Sequence, residues 1–190
     1  GLTYPRYDAV PVIVANMDSI GTFNMASHLK DFGLMVALLK DYSVDTWVQE
    51  VADKSLDPKY LIPTLGTRDL GQEVEKLQEL YRLFPSMPFV CLDVANGYLQ
   101  SAAQAVSKLK NALPNIKVCA GNVVDEDGVR HLADAGASIV KIGIGSGGVC
   151  LTRKKTGVGF PQFSAVHNVV DVARSLGVDL VSDGGTTCPG

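Results

Sequence analysis

The run Gly143-Ile144-Gly145-Ser146-Gly147-Gly148-Val149-Cys150-Leu151-Thr152-Arg153 carries an apolar stretch into a glycine-dense loop that ends at a thiol. Glycine lets backbone N–H groups approach an anion closely, and successive amides form a nest for phosphate. The reactive form of cysteine is its thiolate, which cationic neighbours or oriented backbone dipoles favour. Arg153, Lys154 and Lys155 follow directly and are either such neighbours or a solvated loop. A flexible turn is the plain alternative for the whole run. The position of the loop after a strand-like stretch, with the Thr152 hydroxyl two residues past Cys150, favours a nucleophile beside a phosphate-binding loop. Cys91 and Cys119 sit inside apolar stretches and read as small core residues.

Ser182-Asp183-Gly184-Gly185 is a second anion signal. Asp183 either accepts hydrogen bonds from a ribose diol, with the Gly184 and Gly185 amides toward a phosphate, or caps a tight turn. Two glycine loops, one bearing a nucleophile and one an acid, suggest a nucleoside monophosphate held across them. Asp93-Val94-Ala95-Asn96-Gly97-Tyr98 adds a carboxylate, an amide and an aromatic ring, and Lys40 follows an earlier apolar stretch. Taken alone, Lys40 and Asp93 read as structural or solvated. His28, His131 and His167 fall in helical segments as surface or packing residues, and no Ser-His-Asp arrangement is visible.

Seven short apolar runs must position these groups: 10–15, 34–39, 60–64, 89–94, 117–120, 138–144 and 178–182. Continuous apolar runs of this kind predict parallel strands buried on both faces. Between them, Leu70, Val74, Leu77 and Tyr81, or Phe163, Val166, Val170, Ala173 and Leu176, recur at helical spacing. Gly136 and Gly177 stand where left-handed helix caps are expected. The repeat is strand, loop, helix, strand, which predicts an α/β domain with a parallel sheet.

Polar residues gather where the runs end: Asn16 and Asp18, Lys40, Thr67, Asp93 and Asn96, Asn122, Cys150 and Asp183. That habit favours a (β/α)8 TIM barrel, whose sites lie on the C-terminal face of its strands, over an open doubly wound sheet. With seven strands present, the reading is one incomplete catalytic barrel domain over 1–190, its eighth strand missing from the chain.

The composition narrows the chemistry. The chain has 190 residues, 46% of them hydrophobic, and a net charge of −3 with no basic run, which disfavours nucleic acid and anionic membranes as partners. No apolar run approaches the ~20 residues that span a bilayer, and residues 1–8 do not read as a signal peptide. The cysteines are far apart with no CxxC pair, so free thiols in a reducing cytoplasm fit best.

Ala15-Asn16-Met17-Asp18, Cys91 through Tyr98, Ala120-Gly121-Asn122-Val123-Val124, the Cys150 loop and Ser182 through Gly185 together resemble the inosine-monophosphate dehydrogenase and GMP reductase family over nearly the whole chain. Lys154-Lys155-Thr156-Gly157-Val158-Gly159-Phe160-Pro161-Gln162 and the Leu92-to-Tyr98 run look like the reductase branch. Fewer than 25 residues separate the second and third runs, which leaves no room there for the regulatory domain that dehydrogenases often insert.

The resemblance implies that GMP is reduced by NADPH to IMP with release of ammonia. It implies that Cys150 adds to purine C2, that Thr152 assists, and that Lys40 and Asp93 act on the cofactor and ammonia side. It implies substrate contacts from Met17, Gly147, Gly148, Asp183, Gly184 and Gly185, and cofactor contacts from Lys40, Asp93, Asn96 and Arg153. Potassium is implied on carbonyls of Gly143, Gly145 and Cys150, as is a homotetramer. Gly148 departs from the family, which usually has a phosphate-binding Ser there. The eighth strand, a mobile flap and an acidic residue used near Thr152 are expected after Gly190, and without them no turnover is expected. An IMP dehydrogenase running with NAD and a noncatalytic purine-nucleotide-binding barrel fragment are the competing readings.

Overall fold

The computed structural model describes residues 7–94 and 96–186. The chain divides into two compact units, Gly1–Cys91 and Leu92–Gly190. Cys188 lies outside the described residues.

In the first unit, strands β1 (Ile13–Val14), β2 (Met35–Ala37) and β3 (Leu61–Ile62) form a parallel sheet in that order, with Ile13 opposite Met35 and Val36 opposite Leu61. Helices α1 (Phe23–Leu29) and α2 (Val44–Asp53) follow β1 and β2. Each begins at a hydroxyl cap: Thr22 accepts from Met25 N–H and Ser43 from Thr46 N–H, both at 3.1 Å. Strand β4 (Thr64–Leu65), helix α3 (Leu70–Leu83) and strand β5, Val90–Leu92, whose last residue begins the second unit, complete the order.

The core of this unit gathers Phe23, Val36, Leu38, Trp47, Leu61 and Leu80. Trp47 meets Phe23 edge to face at 5.3 Å, a geometry worth about 0.5–1.5 kcal/mol beyond its buried area.

Most of the expected strands are shorter than the apolar runs, and in two of them proline is the cause. Residues 10–15 predict one strand, yet Val12 N–H turns back to the Val10 carbonyl at 2.7 Å around Pro11, so pairing starts at Ile13. Residues 60–64 predict another, but Tyr60 closes a 3-10 turn and Pro63, without an N–H, breaks the rest into β3 and β4. The Pro63 carbonyl still accepts Cys91 N–H at 2.9 Å.

In the second unit, β6 (Val118–Val123), β7 (Ile139–Ile142) and β8 (Asp179–Ser182) are parallel neighbours, Cys119 facing Ile139 and Val140 facing Leu180. Helices α4 (Gln100–Ala112), α5 (Glu126–Asp134), α6 (Thr152–Thr156) and α7 (Gln162–Leu176) lie between strands or before them. Gly136 and Gly177 follow α5 and α7 at positive φ, 104° and 68°, as their place before the next strand predicts.

Strand β6 runs three residues past the expected end at Ala120. A Cβ on Gly121 would lie 2.6 Å from the Lys141 carbonyl oxygen. It is a glycine required by close strand packing, and Asn122 therefore sits inside the strand, not beyond it. The described residues are α/β with parallel sheets, and among them no helix is long and apolar enough to cross a membrane.

Candidate active site

The second unit assembles its chemistry where β7 and β8 end side by side. Gly143 leaves β7 with φ 140°, and a Cβ on it would lie 2.8 Å from the Asp183 carbonyl oxygen, so any larger residue pushes the strand ends apart. Gly185, at φ 71°, would place a Cβ 2.7 Å from Ser146 Cβ. A Cβ on Gly184 would lie 3.2 Å from Gly147 Cα. The two glycine loops thus approach each other closely at the ends of adjacent strands. At Gly148 nothing lies within 4 Å.

Cys150 closes the first loop by donating its N–H to the Gly147 carbonyl at 3.0 Å. Its thiol is lowered from the ordinary range, first by the Thr152 hydroxyl and then by the Thr152 N–H, with a smaller contribution from the Gly145 N–H. Partial desolvation and the Asp183 carboxylate oppose that shift, and the donors win. Arg153, Lys154 and Lys155 are all exposed. Of the two sources of thiolate stabilisation expected from the sequence, backbone N–H groups contribute, but the largest contribution is a third, the Thr152 hydroxyl. Arg153 lays its aliphatic stem over Gly145 and Gly159 instead.

Asp183 is held by Asn122, whose Nδ2 donates to Asp183 Oδ2 at 2.7 Å and to the Gly143 carbonyl at 2.8 Å. One amide thereby ties β6, the exit of β7 and the acid after β8. Asp183 keeps its second carboxylate oxygen for another donor, a suitable arrangement for a sugar hydroxyl.

Gln162 makes a comparable set. Its Nε2 donates to the Ile142 carbonyl at 2.7 Å and the Ser182 hydroxyl at 2.9 Å, and its Oε1 accepts from the Ser146 hydroxyl at 2.8 Å.

The other expected site residues are placed as follows. Asp93 is half-buried just after β5. Asn96 is exposed, and its Oδ1 accepts Tyr98 N–H at 3.0 Å in a local turn, so its amide N–H2 is the group left to meet a ligand. Tyr98 packs against Gly128 and its hydroxyl accepts Val124 N–H at 2.9 Å, a supporting position that desolvation marks by raising its pKa. In the first unit, Met17 is 48% exposed with its carbonyl closing the turn to Ile20 and Gly21. Lys40 is exposed just past β2, its carbonyl accepting from Lys76 Nζ.

Cys91 and Cys119 are buried thiols, as their apolar surroundings predict. His28, His131 and His167 lie on helices α1, α5 and α7, and His167 stacks on Phe163. Among the described residues no group of three or more His, Cys, Asp or Glu could hold a metal ion.

Sequence reasoning misses the roles of Asn122 and Gln162 as ties. Their partners are distant in the chain, and many are backbone carbonyls, which carry no residue-type signal.

Comparison with known proteins agrees with this geometry. The IMP dehydrogenase / GMP reductase domain matches residues 8–190. A GMP reductase of Shigella boydii serotype 18 is 47% identical over 185 residues, covering 97% of this chain and 53% of that protein. GMP reductases of Escherichia coli O1:K1 / APEC and of Escherichia coli strain K12 / DH10B are likewise 47% identical, with the same coverage. The chain spans about half the length of these relatives. A match over residues 8–190 and 47% identity along 97% of the chain lead to one conclusion: the chain belongs to the IMP dehydrogenase / GMP reductase family.

Proposed function

We propose that this chain carries the nucleotide-binding and nucleophilic part of a GMP reductase, which converts GMP, NADPH and a proton to IMP, NADP+ and ammonia. The observation that carries the reading is the Cys150 thiol, held toward its thiolate by Thr152 and Gly145 and flanked by Asp183 between two touching glycine loops.

Cys150 Sγ adds to C2 of the purine, and the 2-amino group leaves as ammonia. Thr152, next to the sulfur, donates to the thiolate and is placed to pass a proton to the departing nitrogen. After reduction at C2 the sulfur leaves again as a thiolate, stabilised by the same donors. Asp183 accepts from the ribose hydroxyls, and the Gly147, Gly148, Gly184 and Gly185 segments offer backbone amides to the phosphate. Gly148 has no side chain to add a hydroxyl, so the phosphate grip there is made by main chain. Met17 is proposed to pack near the base.

NADPH supplies the hydride when bound. In the second unit Arg153 is an exposed cation for its phosphates and Asn96 retains an amide N–H2, and Asp93 and Lys40 are proposed on the cofactor and ammonia side. For potassium, the Gly143 carbonyl already accepts from Asn122, so Gly143, Gly145 and Cys150 supply at most a partial oxygen shell. A homotetramer in the cytoplasm is the assembly and location proposed with this activity.

The test is an assay of protein expressed from the complete coding sequence with GMP plus NADPH and, separately, IMP plus NAD, following cofactor absorbance and ammonia. NADPH loss matched by ammonia is expected. NADH formation from IMP would move the assignment to the dehydrogenase, and silence in both, with GMP still bound, to a nucleotide-binding protein.

A further inference from the structure

Gln162 is the first residue of α7, yet its side chain does not serve its own helix. It turns back to the strand ends, where it is 8% exposed. Both Nε2 protons are used, on the Ile142 carbonyl at the end of β7 and the Ser182 hydroxyl at the end of β8. Its Oε1 takes the Ser146 hydroxyl from the cysteine loop. The Ile142 carbonyl can only accept, so the amide has one workable orientation.

Ser146 lies between Gly145, whose N–H faces the Cys150 sulfur, and Gly147, whose carbonyl holds the Cys150 N–H. It also packs beneath Gly185 and reaches the Asp183 carbonyl at 3.3 Å. A displacement of Ser146 therefore moves both main-chain groups that fix the cysteine.

We infer that Gln162 is a positioning residue: by binding both strand ends and Ser146 with one amide, it sets the cysteine loop against the donors that activate Cys150. The inference rests on the reading of Cys150 as the nucleophile. Gln162 touches no reacting atom and acts through Ser146.

Two variants test it in the purified protein. Q162M keeps the side-chain volume and removes all three hydrogen bonds, and S146A removes the link from the amide to the loop together with the longer bond to the Asp183 carbonyl. The readout is the rate of Cys150 alkylation by iodoacetamide against pH, without nucleotide, with C150A as the blank. Both variants should shift the midpoint upward and slow alkylation at pH 7 by about threefold or more. In a protein active on GMP, kcat should fall roughly 10- to 100-fold.

A packing role alone would lower the melting temperature and leave the thiol profile in place. A folded Q162M with an unchanged profile overturns the inference. Should Q162M fail to fold, S146A decides by the same criterion. The alkylation needs no substrate, so a protein silent toward GMP and NADPH whose thiol midpoint moves in both variants would keep Gln162 in its role and reject the reductase reading.

Discussion

The activation of Cys150 depends on a neighbour two residues away. The Thr152 hydroxyl is the largest influence lowering the thiol's pKa, and the Thr152 N–H is the next. Hydrogen bonds to the charged form favour that form, so deleting the hydroxyl raises the pKa and leaves less thiolate at any pH below it. Thr152→Val should therefore move the alkylation midpoint upward, by part of the full shift since the N–H remains. Thr152→Ser, which keeps the O–H, should leave it near the parent. Alkylation of both variants across pH 5–10 checks this.

At the same scale, Cys150 and Asp183 are legible in the sequence because a thiol and an acid at glycine-rich strand exits are unusual combinations. Asn122 and Gln162 are not. Gln162 sits at a helix start, where an amide ordinarily faces water, and only folding brings Ile142, Ser146 and Ser182 to it. The cations after Cys150 illustrate the reverse case: conspicuous in sequence, they are solvent-facing, while hydrogen-bond donors adjust the thiol.

Among the elements, α3 contains a local conflict. Tyr81 packs against the core of the first unit with its hydroxyl buried and unpartnered among the described residues, and desolvation pushes its pKa well above the usual phenol range. Tyr81→Phe removes that hydroxyl and should stabilise the protein by about 1 kcal/mol. An unfolded phenol ionises near pH 10, while the folded one holds its proton to higher pH. Above about pH 10 the unfolded state is therefore favoured, and this loss of stability should shrink in the Phe variant. Urea unfolding at pH 7 and pH 10.5 measures both effects.

Helices with a clear apolar stripe, such as α3 and α7, are readable to within a few residues. Helix α6 is not, because Thr152–Thr156 has no apolar residue from which to read a period. Strand boundaries failed where single residues decided them: Pro11 and Pro63 cut apolar runs short, and Gly121 extended β6 by close packing.

For the whole molecule, the repeated strand-and-helix order makes the α/β class and parallel pairing legible, since buried parallel strands demand continuous apolar runs. Sheet order within each unit follows chain order, β1-β2-β3 in the first and β6-β7-β8 in the second. Ligand binding offers a test at this scale. GMP at about 100 times its Kd should add ~2.7 kcal/mol of stability, a rise of roughly 5–10 °C in Tm for a domain of this size. Thermal melts should show that rise in the parent and in Cys150→Ala, which keeps the loops. Gly185→Ala should lose it, because its Cβ would collide with Ser146 and part the two loops.

A recognition surface made of main chain has nothing to lose and only bulk to gain. The amide N–H is present whatever residue but proline stands at Gly143, Gly184 or Gly185, so such a substitution leaves the main-chain donor in place while it crowds the opposing loop. Drift at these positions can run only toward occlusion. Gly148, with open space around it, is the contrasting position, where an added side chain can enter the site without displacing the fold.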